Sequence, residues 1–279
     1  MTGSPVLVLG GTGKTGKRVV RHLADRGARA IAASRSGERR FDWQDRSTWG
    51  PAVRGVESIY VVDSQTENAA ELLSEFVRDA VAAGTRRLVL LSARAWEQAD
   101  DDSVFAVESV VQDSGAGWTV LRPTWFAQNF SEDAFLSDAV VAGDVPLPTG
   151  DGLEPFIDAE DIAEVAAAVL TEDGHDGRTY ALSGPRTLTF GDCVAEIASA
   201  TGREISFRAV TEDDYAKHLL DRGFDADYAA FAAELLGSVA AGGGDYLSDG
   251  VQRVLGREPR SFADYARTTA ATGAWTPAA

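Results

Sequence analysis

Apolar residues fall along the first half of this chain in short, nearly continuous runs. Between the runs they recur every three or four positions. Val6–Leu9, Ala30–Ala33, Ser58–Val62, Leu88–Leu91 and Trp118–Leu121 are the runs. Four or five such residues without polar alternation fit strands covered on both faces. The intervening stretches have helical spacing. From about Gly13 to Arg26, Val19, Val20 and Leu23 share a face. Across Asn68–Ala83, Ala69, Leu72, Leu73, Phe76, Val77 and Ala80 form one stripe, and Gly84 ends it. Val104–Asp113 reads as a third helix, stopped by Ser114-Gly115. Strand and helix in alternation predict an α/β fold with a doubly wound parallel sheet. Ligands of such sheets gather at the carboxyl ends of the strands.

The second half is more mixed. Asp158-x-x-Asp161 can cap a helix carrying Ile162, Val165, Ala166, Val169 and Leu170, and Thr179–Leu182 fits a strand returning to the sheet. Thr189 with Asp192, Thr211 with Asp214, and Ser261 with Asp264 have capping-box spacing, and Gly202 fits a helix stop. The pattern divides the chain into a nucleotide-binding domain over 1–184 and a smaller, mostly helical C-terminal lobe over 185–279, with part of 125–155 joining the substrate lobe. Residues 215–250 fit a lid and a fixed helical wall equally well.

The first apolar run empties into Gly10-Gly11-Thr12-Gly13-Lys14-Thr15-Gly16. A strand feeding a glycine turn into a helix N-terminus makes an anion site, because backbone N–H groups and the helix dipole point the same way. Gly11-x-Gly13-x-x-Gly16 has dinucleotide spacing. A P-loop would need glycine where Val8 stands in the strand. The expected cofactor contacts in the turn are Gly10, Thr12, Gly13, Lys14, Thr15 and Gly16. At the end of the second strand, where NAD sites place a carboxylate, the chain has Ser34-Arg35-Ser36. Arginine and two hydroxyls suit a 2′-phosphate, so the expected cofactor is NADP(H). Asp42 is placed to accept the adenine amino group, and Asp63 and Ser64 follow the third strong strand toward the nicotinamide.

Composition narrows the partners. The 279 residues are 44% hydrophobic and carry a net charge of −17, from 43 acids against 26 bases. That charge repels phosphate backbones and speaks against nucleic-acid binding. The one cysteine, Cys193, allows no intrachain disulfide, and His22, His175 and His218 show no metal-ligand spacing. No signal pattern and no long apolar run appear, so a soluble cytoplasmic protein without a membrane segment or metal is expected. The acid-rich segment 98–102 reads as a solvated loop.

The chain resembles the NmrA-like proteins, which are atypical short-chain dehydrogenases. The resemblance runs nearly the whole length. It rests on the turn at 10–16, Ser34-Arg35-Ser36, Leu121-Arg122-Pro123 with Phe126 and Asn129, Pro155-Phe156-Ile157-Asp158 with Asp161-Ile162-Ala163, and Gly256-Arg257-x-Pro259-Arg260-Ser261-Phe262. It implies a Rossmann domain with a small C-terminal lobe that binds NADP(H) or NAD(H). Members include quinone reductases, dye reductases, iminium-reducing enzymes and regulators that hold the dinucleotide without turning it over.

Ordinary short-chain dehydrogenases protonate their product through Tyr-x-x-x-Lys. The corresponding positions here are Val104 and Glu108, and none of the six tyrosines has lysine four residues on. Electron-poor acceptors need no such relay; placement and water exclusion suffice. The expected function is therefore an NADPH-dependent oxidoreductase acting on a flat conjugated small molecule, quinone-like or imine-like. Ser92 is the candidate to hydrogen-bond a substrate oxygen and Arg94 to stabilise a phenolate. Trp96, Trp125, Phe126, Asn129 and Phe156 are candidates to line the substrate. Glu108 either reaches a neighbouring backbone or faces water. The alternatives are an NADP(H)-sensing regulator with a protein partner, and a non-redox isomerase or cyclase on the same scaffold.

Overall fold

The five apolar runs pair, all in parallel, with Arg39–Arg40 and Arg178–Leu182 into one seven-stranded sheet in the computed structural model, which describes residues 4–95 and 105–277. In chain order, β1 (Val6–Leu9) leads to α1 (Gly16–Asp25), β2 (Ala30–Ser34), β3 (Arg39–Arg40), α2 (Trp49–Val53), β4 (Ser58–Val61), α3 (Ala69–Ala82), β5 (Arg87–Leu91), α4 (Ala106–Gln112) and β6 (Gly117–Pro123). Next come α5 (Asn129–Glu132), α6 (Ala134–Ala142), β7 (Asp144–Leu147), β8 (Leu153–Glu154), α7 (Ala159–Thr171) and β9 (Arg178–Leu182). The chain ends with β10 (Leu188–Thr189), α8 (Phe190–Thr201), β11 (Ser206–Ala209), α9 (Glu212–Asp221), α10 (Ala226–Ala240), α11 (Gly250–Leu255) and α12 (Phe262–Ala271). The expected doubly wound α/β fold is present. The chain forms two compact units: 1–123 with 159–182 and 249–257, and 124–158 with 183–248 and 258–279.

In the first unit the strand order is β3-β2-β1-β4-β5-β6-β9. Val6 pairs with Ala30 on one side and Ser58 on the other. The chain thus walks outward from β1 and then crosses to β1's far side, which opens a crevice at the carboxyl ends of β1 and β4. One sheet face packs on α3, whose Leu73, Phe76 and Ala80 are fully buried with Leu7, Leu9, Ile59 and Leu88. Phe76 also meets Phe41, Trp43 and Trp49 edge-on, with centroids 5.3, 5.3 and 5.9 Å away, so Trp43 is a packing residue.

The α7 helix packs against β4, β5 and β6 as well as α1. Its Ala166-Ala167-Ala168 run is fully buried, because small side chains let a helix sit close to a sheet. The polar residues of α7 are matched by cations. Glu160 accepts from Arg18 Nε and pairs with His22, each at 3.0 Å, and also pairs with Arg21. Asp161 accepts from Arg257 Nη2 at 2.7 Å, and Arg257 also holds Glu164.

The second unit is mostly helical. Its core joins Phe130, Phe156, Phe190 and Phe262, and Trp275 Nε1 donates to the Phe130 carbonyl at 2.7 Å. The capping box at α8 is complete in both directions, and its helix ends at Gly202 in the left-handed conformation. At Thr211 and Ser261 the hydroxyls also accept from the expected backbone N–H groups, both at 3.1 Å. Two small pairings were not expected: β7 with β11 and β8 with β10. Among the described residues no helix is long and apolar enough to cross a membrane.

Burial opposes ionisation of Glu160, but the His22 hydrogen bond and the Arg21 and Arg18 charges outweigh it, moving its carboxyl from 4.5 to about 2. A depressed carboxylate stabilises above its unfolded value and loses that contribution as pH falls through the folded one. The Glu160→Gln protein is expected to be less stable at neutral pH by at most about 3 kcal/mol. In denaturant titrations the gap to wild type should close as pH falls from about 4.5 to about 2. A pH-independent gap would contradict the ion-pair account.

Candidate functional site

At the end of β1 the backbone folds back on itself. Gly10 is left-handed at φ +63°, and a Cβ on Gly16 would stand 2.2 Å from the Gly10 carbonyl oxygen. Gly13 N–H donates to that same carbonyl at 2.8 Å. The helix therefore starts at Gly16, later than the expected Gly13, since the preceding residues form the turn. The backbone N–H groups of Thr12, Thr15 and Gly16 meet no acceptor among the described residues. Unused donors over a helix N-terminus fit a pyrophosphate. Arg18 braces the turn by donating from Nη1 to the Lys14 carbonyl at 2.7 Å while its Nε holds Glu160.

The turn reaches the end of β2 through a hydroxyl pair. Thr12 Oγ1 donates to Ser34 Oγ at 3.0 Å, and Ser36 N–H donates to the same oxygen at 3.2 Å. Ser34 therefore accepts twice and keeps its own proton to give. Arg35 and Ser36 are exposed, and Arg35 has no ion-pair partner among the described residues. A free guanidinium beside a donating hydroxyl suits a phosphate. Asp42 Oδ1 accepts from Gln44 N–H at 3.0 Å, which leaves Oδ2 uncommitted.

The loop after β4 lies against the turn: a Cβ on Gly10 would sit 3.8 Å from Val62. Here Asp63 Oδ1 accepts from Gln65 N–H at 2.8 Å, and burial raises the Asp63 carboxyl against that bond. Gln65 has φ +53°, unique among the described non-glycine residues. Strain of this kind concentrates at ligand sites. Thr66 Oγ1 donates to Asn68 Oδ1 at 2.8 Å, so the donor in the 2.7 Å Ser64–Thr66 contact is Ser64. Ser64 can then only accept.

At the ends of β5 and β6 a polar cluster forms. Ser92 Oγ donates to Glu108 Oε1 at 2.6 Å. Arg122 grips the same carboxylate with both edges of its fork, Nε to Oε1 at 2.9 Å and Nη2 to Oε2 at 2.7 Å. Glu108 is only 2% exposed, so it does not face water, and it reaches side chains rather than backbone. The expectation that Ser92 donates to a substrate oxygen is corrected: its proton is spent on Glu108. Arg94 is 3% exposed. The Glu108–Arg122 pair was missed in the sequence. A lone acid on an otherwise apolar helix and an arginine ending a strand were the available signals.

The remaining expected residues divide. Trp96 and Val104, together with the acid-rich segment 98–102, lie outside the described residues. In the second unit, Trp125 is half-buried with its ring 5.6 Å from Phe190. Phe126 pairs with Ile157 in a parallel bridge, and Asn129 opens α5; both are half-buried. Phe156 is corrected from substrate wall to core: it is 2% exposed, with ring centroids 4.9 Å from Phe190 and 5.7 Å from Phe130. Two clefts lie away from the strand ends, one of about 310 Å³ beside Arg203 and Trp275. The other, of about 270 Å³, lies beside Arg86, Arg87 and Trp118, at the opposite end of β5 and β6.

The NAD(P)H-binding family model matches residues 10–173. The chain belongs to the NAD(P)H-binding family of oxidoreductases. Among its relatives is YesF, an uncharacterized oxidoreductase of Bacillus subtilis (strain 168), 32% identical over 99% of both chains. The agroclavine dehydrogenase of Claviceps fusiformis is 32% identical over 93% of this chain and 95% of its own. Among solved structures, the NADPH-dependent quinone oxidoreductase QOR2 of Escherichia coli, complexed with NADPH, superposes with a TM-score of 0.81 at 23% identity, covering 94% of this chain and 99% of its own. That likeness shows the fold. The NmrA-like resemblance carried by the motifs holds, and so does the expected binding of a nicotinamide dinucleotide.

Two substitutions separate the parts of this site. Arg35→Ala should weaken NADPH binding by about tenfold or more, as for a lost charge-assisted hydrogen bond, and leave NADH binding nearly unchanged. Gly16→Ala should weaken both cofactors alike and lower the melting temperature, because the added Cβ meets the Gly10 carbonyl. Fluorescence titration with each cofactor reads both. Equal loss of NADPH and NADH in Arg35→Ala would defeat the 2′-phosphate assignment.

Proposed function

We propose that the protein is an NADPH-preferring reductase that passes hydride to a flat conjugated acceptor, quinone-like or imine-like, without a tyrosine–lysine relay. The observation that carries this is Glu108. It occupies the lysine position of the relay and is clamped by Arg122 within 2.9 Å on both oxygens. Neither group is disposed to hand a proton to an alkoxide.

NADPH supplies the hydride when bound, and Ser34, Arg35 and Ser36 are assigned to its 2′-phosphate. The Thr12, Thr15 and Gly16 N–H groups hold the pyrophosphate, while Asp63 and Ser64 accept from ribose hydroxyls. For an acceptor whose product anion is already stable, the protein need only align the reacting carbon and keep water out. A quinone becomes a hydroquinone monoanion that takes its proton from solvent. An iminium forms a C–H bond and its π pair moves to nitrogen, with no proton required. A simple ketone would yield an alkoxide, and among the described residues no tyrosine–lysine pair stands ready to protonate it.

The test is NADPH consumption by the purified protein against substituted benzoquinones, cationic triarylmethane dyes and cyclic imines, with simple ketones as controls. Turnover is expected with at least one of the first three classes, and ketones should run at least about a hundredfold slower, as befits a missing general acid. No consumption with any class would overturn the reading in favour of dinucleotide sensing or non-redox chemistry on the same scaffold.

A further inference from the structure

We propose that Glu108, clamped by Arg122, commits the Ser92 hydroxyl as an acceptor only, so that the site favours molecules presenting an N–H over those presenting a bare oxygen at the same place. This rests on the reductase reading of the same strand ends and narrows it. Glu108 is the positioning residue and Ser92 the contact.

A serine hydroxyl has one proton and two lone pairs. The Glu108 carboxylate receives Ser92 Oγ at 2.6 Å and Arg122 Nε at 2.9 Å on Oε1, and Arg122 Nη2 at 2.7 Å on Oε2. Both of its oxygens already accept from Arg122. The donor between Ser92 and Glu108 is therefore the serine, and only its lone pairs are left. The geometry is held from every side. Arg122 stacks over the Phe105 ring at 4.9 Å, Ser92 N–H donates to the Leu121 carbonyl at 2.8 Å, and Glu108 is 2% exposed. A quinone oxygen placed against these lone pairs meets repulsion. A protonated imine or amine meets a hydroxyl already polarised by a carboxylate, and hydrogen bonds to charged groups are the stronger kind.

The experiment compares binding of tetrahydroisoquinoline and isochroman, which differ in a ring N–H against a ring oxygen. Each is titrated into the full-length protein loaded with NADP, by calorimetry, and the ratio of affinities is the readout. Wild type should prefer the amine. Ser92→Ala should cut the ratio by about tenfold or more, Ser92→Thr should restore it, and Glu108→Gln should lower it by freeing the serine proton. The cofactor affinity of each variant is read alongside, so that general loss of the fold is recognised. Equal binding of the two probes by wild type, binding of neither, or a Ser92→Ala ratio within twofold of wild type would each overturn the proposal. The titration needs no turnover. A preserved amine preference with no NADPH consumption would sink the reductase reading alone, and turnover without the preference would sink only this one.

Discussion

The carboxyl end of the sheet depends on one backbone contact, the approach of Gly16 to the Gly10 carbonyl. A Cβ there would stand at 2.2 Å, so α1 can begin directly beneath the end of β1 only because position 16 has none. That approach leaves the N–H groups of Thr12, Thr15 and Gly16 without an acceptor among the described residues. The rest of the first unit holds the turn in place. Ser34 takes the Thr12 hydroxyl from the β2 side, and Arg18 ties the Lys14 carbonyl to Glu160 on α7. The helix that covers the sheet thus also steadies the glycine turn, through the ion pairs between α1 and α7.

Hydroxyl direction then distinguishes the two ends of the site. Ser34 accepts two hydrogen bonds and has a proton left for an anion, while Ser92 and Ser64 have given theirs away. The three serines are chemically identical. Their roles differ because the nearest strong partner is a donor in one case and an acceptor in the others. A side chain's chemistry at such a site is set less by its identity than by what has already claimed its proton.

Much of the first unit was legible in the sequence because its signals are local. Nearly continuous apolar runs mark strands buried on both faces, and the stripe from Ala69 to Ala80 marks α3. The glycine turn is local too, since its strand, spacing and helix lie within twenty residues. What escaped depends on distant partners. The two-residue strands β3, β8 and β10 have no periodicity to read. Phe156 looked like a substrate wall because it stands in a family motif. Its burial is decided by Phe130, Phe190 and Phe262, which the sequence scatters widely. Glu108 and Arg122 lie on a helix and a strand, 14 residues apart, and only the packing of α4 against β6 brings them together.

That pair is a costly way to fill space. Removing a carboxylate and a guanidinium from water consumes most of what their attraction returns, and apolar side chains of the same volume would serve stability as well or better. The pair supplies what apolar residues cannot, a fixed acceptor for the Ser92 proton. In the tyrosine–lysine relay a cation helps a hydroxyl surrender its proton to the product. Here the charge beside the hydroxyl has the opposite sign, and the proton is drawn inward, away from any bound molecule. At one helix position a carboxylate stands where the relay has its cation, and the hydroxyl beside it gives its proton to the protein itself.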